Sequence, residues 1–189
     1  KAEDPTLSAL AGRAPSIVAS GIYDEATTLL TLGDARATTA AGVFSVSGNV
    51  NPRKQTLDIS YNLNAKDLDT IGRVAGVPLG GSVDAQGQIS GEFTSPLIST
   101  EADIRNLRYQ DYRVDAMDLS LNTTTAEDGN NPFSLDLAAQ GLSLGDPGLD
   151  ALIGDAPVLA AKGTYNPEGP RVSLETFSAA LKQAKATAS

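Results

Sequence analysis

The sequence predicts an all-β fold, an elongated antiparallel sheet curled into a taco-like trough with a few short helices at its rim. Three observations carry this. Short stretches alternate polar and apolar residues with period two, turn signals separate them at regular intervals, and one segment recurs later in the chain. Alternation puts two chemically different faces on each strand, as in an antiparallel sheet buried on one side only.

The alternation is clearest at Leu57, Ile59, Tyr61 and Leu63, interleaved with Asp58, Ser60, Asn62 and Asn64. Residues 67–76 then break it. Leu68, Ile71 and Ala75 fall at helical spacing, Asp67 is a plausible N-cap and Gly76 a stop. Alternation resumes at Val83, Ala85, Ile89 and Phe93, then at Met117, Leu119 and Leu121, and again at Phe133, Leu135 and Leu137. Asp146-Pro147 followed by Leu149, Leu152 and Ile153 reads as one or two helical turns. Weaker strand patterns follow at Leu159–Tyr165 and at Val172 and Leu174, and a strand pattern runs from Phe177 onward. Asn51-Pro52, Ser95-Pro96, residues 128–132, Asp146-Pro147-Gly148 and residues 166–170 carry the turn signals.

The recurring segment is LSALAGRAPSIVASGIY at residues 7–23, matched without gaps by LDALIGDAPVLAAKGTY at residues 149–165. Leu7, Ala9, Leu10, Gly12, Ala14, Pro15, Ala19, Gly21 and Tyr23 are identical to their counterparts, where residue frequencies alone give roughly one or two matches. A looser copy starts at Leu68. Residues 1–189 are therefore expected to form one continuous unit, with repeats starting near residues 7, 68 and 149. Each repeat is a short helix, a proline stop and a set of strands. Repeats of this kind stack in one direction, each touching only its neighbours.

Composition excludes several function classes. The 189 residues contain no cysteine and no histidine. That removes disulfides, thiolate zinc sites, cysteine nucleophiles, the commonest general base and the commonest metal ligand. No G-x-S-x-G, P-loop or G-x-G-x-x-G motif occurs. The acids sit at alternate strand positions or in turns, where solvated faces explain them. The cluster at residues 128–131 lacks the spacing and downstream Glu of an EF-hand loop and reads as a turn. Asn122-Thr123-Thr124 matches a glycosylation sequon, a motif frequent by chance. The reading is no catalytic residue, no metal, no cofactor and no enzyme.

The net charge is −9, with 14 Lys and Arg scattered among 23 Asp and Glu. A nucleic-acid binder or a polybasic membrane-surface protein needs a clustered basic face, so neither partner is expected; the acidity serves solubility. No apolar run reaches the roughly 18 residues that a membrane-crossing helix needs. The N-terminus has no signal-peptide pattern and begins at Lys1, so any anchor or signal is expected outside this chain.

The run DIRNLRYQDYRVDAMDLSLN (Asp103–Asn122), the preceding VPLGGSVDAQGQISGEFTSPLI (Val77–Ile98) and the repeated L-x-A-L-x-G-x-A-P-x-x-x-A-x-G-x-Y unit resemble the TamB family of bacterial envelope proteins. The flavour is that of an alphaproteobacterial member. The related AsmA-like, bridge-like β-groove proteins share much of this grammar. The resemblance implies a segment of a long periplasmic β-rich protein, tethered in the inner membrane by an N-terminal helix. Its sheet would curl into a trough with a greasy inside and partner an Omp85-type outer-membrane barrel. The implied cargo is phospholipid acyl chains carried between the membranes, or nascent outer-membrane protein strands such as those of autotransporters.

The candidate functional residues are the alternating apolar ones. Val46, Leu57, Ile59, Tyr61, Leu63, Val83 and Ile89 are expected to line the groove. So are Phe93, Leu119, Leu121, Leu135, Leu137 and Leu174. Asp58, Asn62, Asp84, Gln88, Asp118 and Asp136 are expected to face solvent. The alternative is a structural or adhesive β-solenoid or sandwich module without ligand, its apolar residues packed in a dry core. Two features favour the trough: the repeat extends the sheet in one direction, and aromatic residues are only 5% of the chain. Sheet edges left open at the two ends are expected to allow end-to-end self-association.

Overall fold

A computed structural model describes residues 15–126, 129–166, 171–182 and 185–188. Eleven strands form one antiparallel sheet in which every strand pairs with its sequence neighbours, in the order β1 to β11. The strands are β1 (Ser16–Asp24), β2 (Leu29–Thr38), β3 (Gly42–Asn51), β4 (Thr56–Ala65), β5 (Leu79–Glu92), β6 (Ser95–Tyr109), β7 (Tyr112–Thr123), β8 (Asn131–Gln140), β9 (Val158–Asn166), β10 (Arg171–Ala180) and β11 (Lys185–Ala188). The sheet is curled and does not close. Ten inter-strand steps of about 4.8 Å give a path of roughly 48 Å across it.

Local chemistry sets the turns. In the β1–β2 connection the Asp24 carboxylate accepts the Ala26 and Thr27 N–H groups at 2.9 and 3.1 Å. In the β3–β4 connection Asn51 Oδ1 accepts the Lys54 N–H at 2.9 Å, while its Nδ2 donates to the Thr27 carbonyl at 3.2 Å. One buried Asn thus ties two neighbouring hairpin tips together. Pro96 and Pro132, which read as turn residues in the sequence, are the second residues of β6 and β8. Proline is tolerated there because it enters a strand before a full ladder needs its missing N–H.

Helix α1 (Leu68–Ala75) joins β4 to β5, and helix α2 (Pro147–Ile153) lies between β8 and β9. Both connections run from an even to an odd strand, so the two helices sit at the same end of the sheet, four strands apart. Asp67 caps α1, its side chain accepting from the Thr70 N–H, and Gly76 ends it in the left-handed conformation at φ 70°. Asp146 caps α2, with Pro147 in its first turn. The short helix expected near residue 7 lies outside the described residues.

Among the described residues no second layer covers the sheet. Among the described residues no large side chain is fully buried. The buried apolar residues are Ala41, Ala65, Leu68, Val114, Ala139 and Ala179, mostly small. A sandwich of this size would enclose bulky Leu, Ile and Phe side chains between two sheets.

Candidate functional site

Residues directly opposite each other on paired strands share a face, so the register defines the chemistry of each side of the sheet. One row runs Ile17, Ala37, Phe44, Leu63, Ala85, Ala102, Leu119, Leu137, Leu159, Ala179 from β1 to β10. The next row is Ala19, Ala35, Val46, Tyr61, Gly87, Thr100, Leu121, Leu135, Ala161, Phe177. On the same face Gly21, Leu32, Gly48, Ile59, Ile89 and Ile98 form a third row from β1 to β6. Thr123, Phe133, Gly163 and Leu174 form a further row from β7 to β10. Ala65, Val83, Ile104 and Met117 make another, and Tyr23, Leu30, Val50, Leu57, Gly91 and Pro96 the outermost. No residue in these rows is charged.

The rows stay intact because two bulges reset the alternation. β2 carries an extra residue at Gly33, so its face-sharing residues change from Leu30 and Leu32 to Ala35 and Ala37. β10 carries an extra Glu175, and Val172 and Leu174 give way to Phe177 and Ala179. Without these bulges the far half of each strand would turn its polar residues toward the apolar rows.

The reverse face is a polar ladder. Gln88 donates to Asp58 at 2.6 Å, Gln86 to Glu101 at 3.3 Å, Ser99 to Asn122 at 2.7 Å, and Asn64 to Asp84. Arg105 pairs with Asp103 at 3.0 Å and Asp118 at 3.4 Å. Exposure follows the same division. In β5, Val83, Ala85, Gly87 and Ile89 are half-buried, whereas Asp84, Gln86 and Gln88 are exposed.

Twelve of the thirteen residues singled out in the sequence lie in the apolar rows: Val46, Leu57, Ile59, Tyr61, Leu63, Val83, Ile89, Leu119, Leu121, Leu135, Leu137 and Leu174. Phe93 lies instead in the two-residue turn between β5 and β6, where its N–H donates to the Gln55 carbonyl at 2.8 Å. Asp58, Asn62, Asp84, Gln88, Asp118 and Asp136 sit on the reverse face and are exposed. Leu30, Leu32, Phe44, Ile98 and Ile104 also lie in these rows but stand in no clear alternation along the sequence. Each is found only by pairing its strand with a neighbour whose phase is clear.

Among the described residues no helix is long and apolar enough to cross a membrane. The family model described as TamB, N-terminal domain, matches residues 27–157, more than two thirds of the chain. No curated protein and no solved structure matches it.

Proposed function

The chain belongs to the TamB family, and from that premise we propose that its apolar face is a non-catalytic path for phospholipid acyl chains through the periplasm. The observation that supports this reading is the set of uncharged rows continuing across ten strands. An acyl chain laid on such a surface leaves water at about 0.8 kcal/mol per buried CH₂. A single fixed charge in the rows would set a barrier of several kcal/mol. The small residues Gly48, Ala85, Ala102 and Ala161 are interspersed among larger apolar side chains in these rows, so the surface offers shallow furrows. The curl shelters this face as the inside of the trough, in keeping with the half-buried side chains of its central strands.

A second reading, in which the same face receives nascent outer-membrane protein strands, is favoured by β1. Its outer edge has no strand partner among the described residues, and unpaired backbone groups accept an added strand. In either case the module works with outer-membrane assembly machinery, and an Omp85-type barrel meets the full-length protein beyond this segment.

Photo-crosslinkers placed at Ile59 or Leu119 of the full-length protein in cells test the proposal. They should capture phospholipid, while crosslinkers at Asp58 or Asp118 on the reverse face should not. Equal capture on both faces rejects the path, and capture of outer-membrane proteins alone selects the second reading.

A further inference from the structure

Charge is unevenly placed on this acidic chain. Four of its 14 cations, Lys66, Arg73, Arg105 and Arg108, line one cavity of about 620 Å³ beside α1, and Asp69 is the only acid among the lining residues. Among the described residues only Arg105 of these four forms an ion pair, with Asp103 and Asp118. Among the described residues Lys66 and Arg108 make no ion pair or side-chain hydrogen bond.

The backbone is shaped to bring these cations together. Arg105 and Arg108 are three residues apart, and strict alternation would send them to opposite faces of β6. A bulge prevents it. Arg105 pairs with Ser82 and Arg108 with Gly80, so β6 fits one extra residue opposite Gly81, and Asn106 adopts a left-handed φ of 51° to do so. Both arginines line the same cavity. Opposite the bulge stand two glycines. A Cβ on Gly80 would lie 3.0 Å from the Asp69 carboxylate, so glycine is what lets α1 close over one side of the cavity.

Arg73 is pre-set as well. Its Nη2 donates to Thr70 Oγ1 at 2.7 Å, and that hydroxyl donates to the N-cap Asp67 at 2.7 Å. The same chain that caps α1 thus fixes the guanidinium. On the sheet side Arg108 stands directly opposite Arg113 in the β6–β7 ladder. Like charges directly opposite destabilise a sheet, and no carboxylate of the described residues pairs with either one.

Converging guanidinium and ammonium groups with unused N–H donors match a phosphate, which accepts Arg in bidentate fashion. The cavity volume falls in the range of small-molecule sites, roughly 300–1,000 Å³, so it has room for an organic group attached to that phosphate. We propose that the cavity beside α1, lined by Lys66, Arg73, Arg105 and Arg108, binds the phosphate of a phosphoester. The site lies beside α1, and none of its lining residues belongs to the apolar rows.

The test is an NMR titration of the 189-residue chain with two probes, following the amides of Gly80, Gly81 and Asn106. One probe is glycerol 3-phosphate, a soluble monoester. The other is glycerophosphoethanolamine, a deacylated phospholipid headgroup. Saturable shifts at these amides are expected. Tighter binding of the diester assigns the site to a lipid headgroup, and tighter binding of the monoester assigns it to a soluble ester. The double substitution Arg73→Gln with Arg108→Gln should weaken binding at least about tenfold, a loss of about 1.4 kcal/mol, with an unchanged circular dichroism spectrum. Asp69→Asn, which removes the opposing charge, should tighten it several-fold. Absence of saturable shifts with both probes overturns the proposal. So does equal affinity in the arginine variant, or affinity in Asp69→Asn no higher than in the parent.

Discussion

The hydroxyl of Tyr61 lies 2.7 Å from Oγ1 of Thr100, although the two residues belong to β4 and β6 and are separated by the whole of β5. The residue between them in the row is Gly87, and a Cβ there would stand 2.8 Å from the Tyr61 oxygen. The glycine leaves a furrow that the tyrosine ring fills, and the ring finds its polar partner on the far side. A half-buried aromatic with a satisfied hydroxyl covers the otherwise bare backbone.

Gly87→Ala is therefore expected to evict the ring and cost about 1–3 kcal/mol, as overpacked sites do. Thr100→Val and Tyr61→Phe should each cost about 1 kcal/mol. Because both remove the same bond, the double variant should cost little more than either single one. Urea denaturation measures all four, and additive losses would show that the bond contributes nothing to stability.

A single-layer sheet makes an unusual forecast for its leucines. Leu137 faces Leu119 and Leu159 across the ladder, and among the described residues no second sheet packs on it. In a closed core Leu→Ala costs roughly 2–5 kcal/mol. Here the side chain is only half-buried, so Leu137→Ala is expected to cost about 1 kcal/mol, below that range. A loss above about 2.5 kcal/mol in a denaturation curve would mean that a covering layer closes over this face in solution.

Much of this architecture was legible because β4, β5, β7 and β8 alternate without interruption, and because Asp67, Gly76, Asp146 and Pro147 mark the ends of the two helices by unmistakable chemistry. The rest was hidden for specific reasons. In β2 the extra Gly33 switches the phase mid-strand, so no single period fits residues 29–38. In β6 the bulge at Asn106 does the same. Pro96 and Pro132 carry turn chemistry yet open strands. The pairing of Arg108 with Arg113 depends on a register across a two-residue turn, and the meeting of Arg105 and Arg108 with Lys66 and Arg73 depends on where α1 packs. Neither is a property of local sequence.

Stability should respond to acid through the α1 cap. Hydrogen bonds from the Thr70 hydroxyl and N–H hold the Asp67 carboxyl below its ordinary value of 3.8, with a smaller contribution from the Arg73 charge. A depressed pKa in the folded state means that the stabilisation is fully present above the unfolded value. It is lost as pH falls below 3.8 and through the lower folded value. Asp67→Ala should cost about 1 kcal/mol near neutral pH. The gap between variant and parent should close in strong acid. Melting temperatures recorded from pH 7 down to about 2 check this, and a constant gap over that range would contradict the assignment.

The edge of the sheet carries the last forecast. β1 pairs with β2 on one side only and has no strand on the other among the described residues. It also carries large apolar side chains on both faces. Ile17 and Tyr23, on the face of the apolar rows, are 84% and 59% exposed, and Val18 and Ile22, on the reverse face, are 61% and 74% exposed. A strand with free backbone donors and greasy side chains on both sides is a template for another strand. The chain is therefore expected to associate reversibly as its concentration rises. Val18→Lys combined with Ile22→Lys should return it to a monomer, since inserted lysines block edge pairing. Both substitutions fall on the reverse face, so the uncharged rows remain as they are and lipid capture at Leu119 should persist. Sedimentation velocity across a hundredfold range of concentration reads the outcome. A parent chain that stays strictly monomeric would show the β1 edge to be covered in solution, and association that survives both lysines would move the contact to another surface.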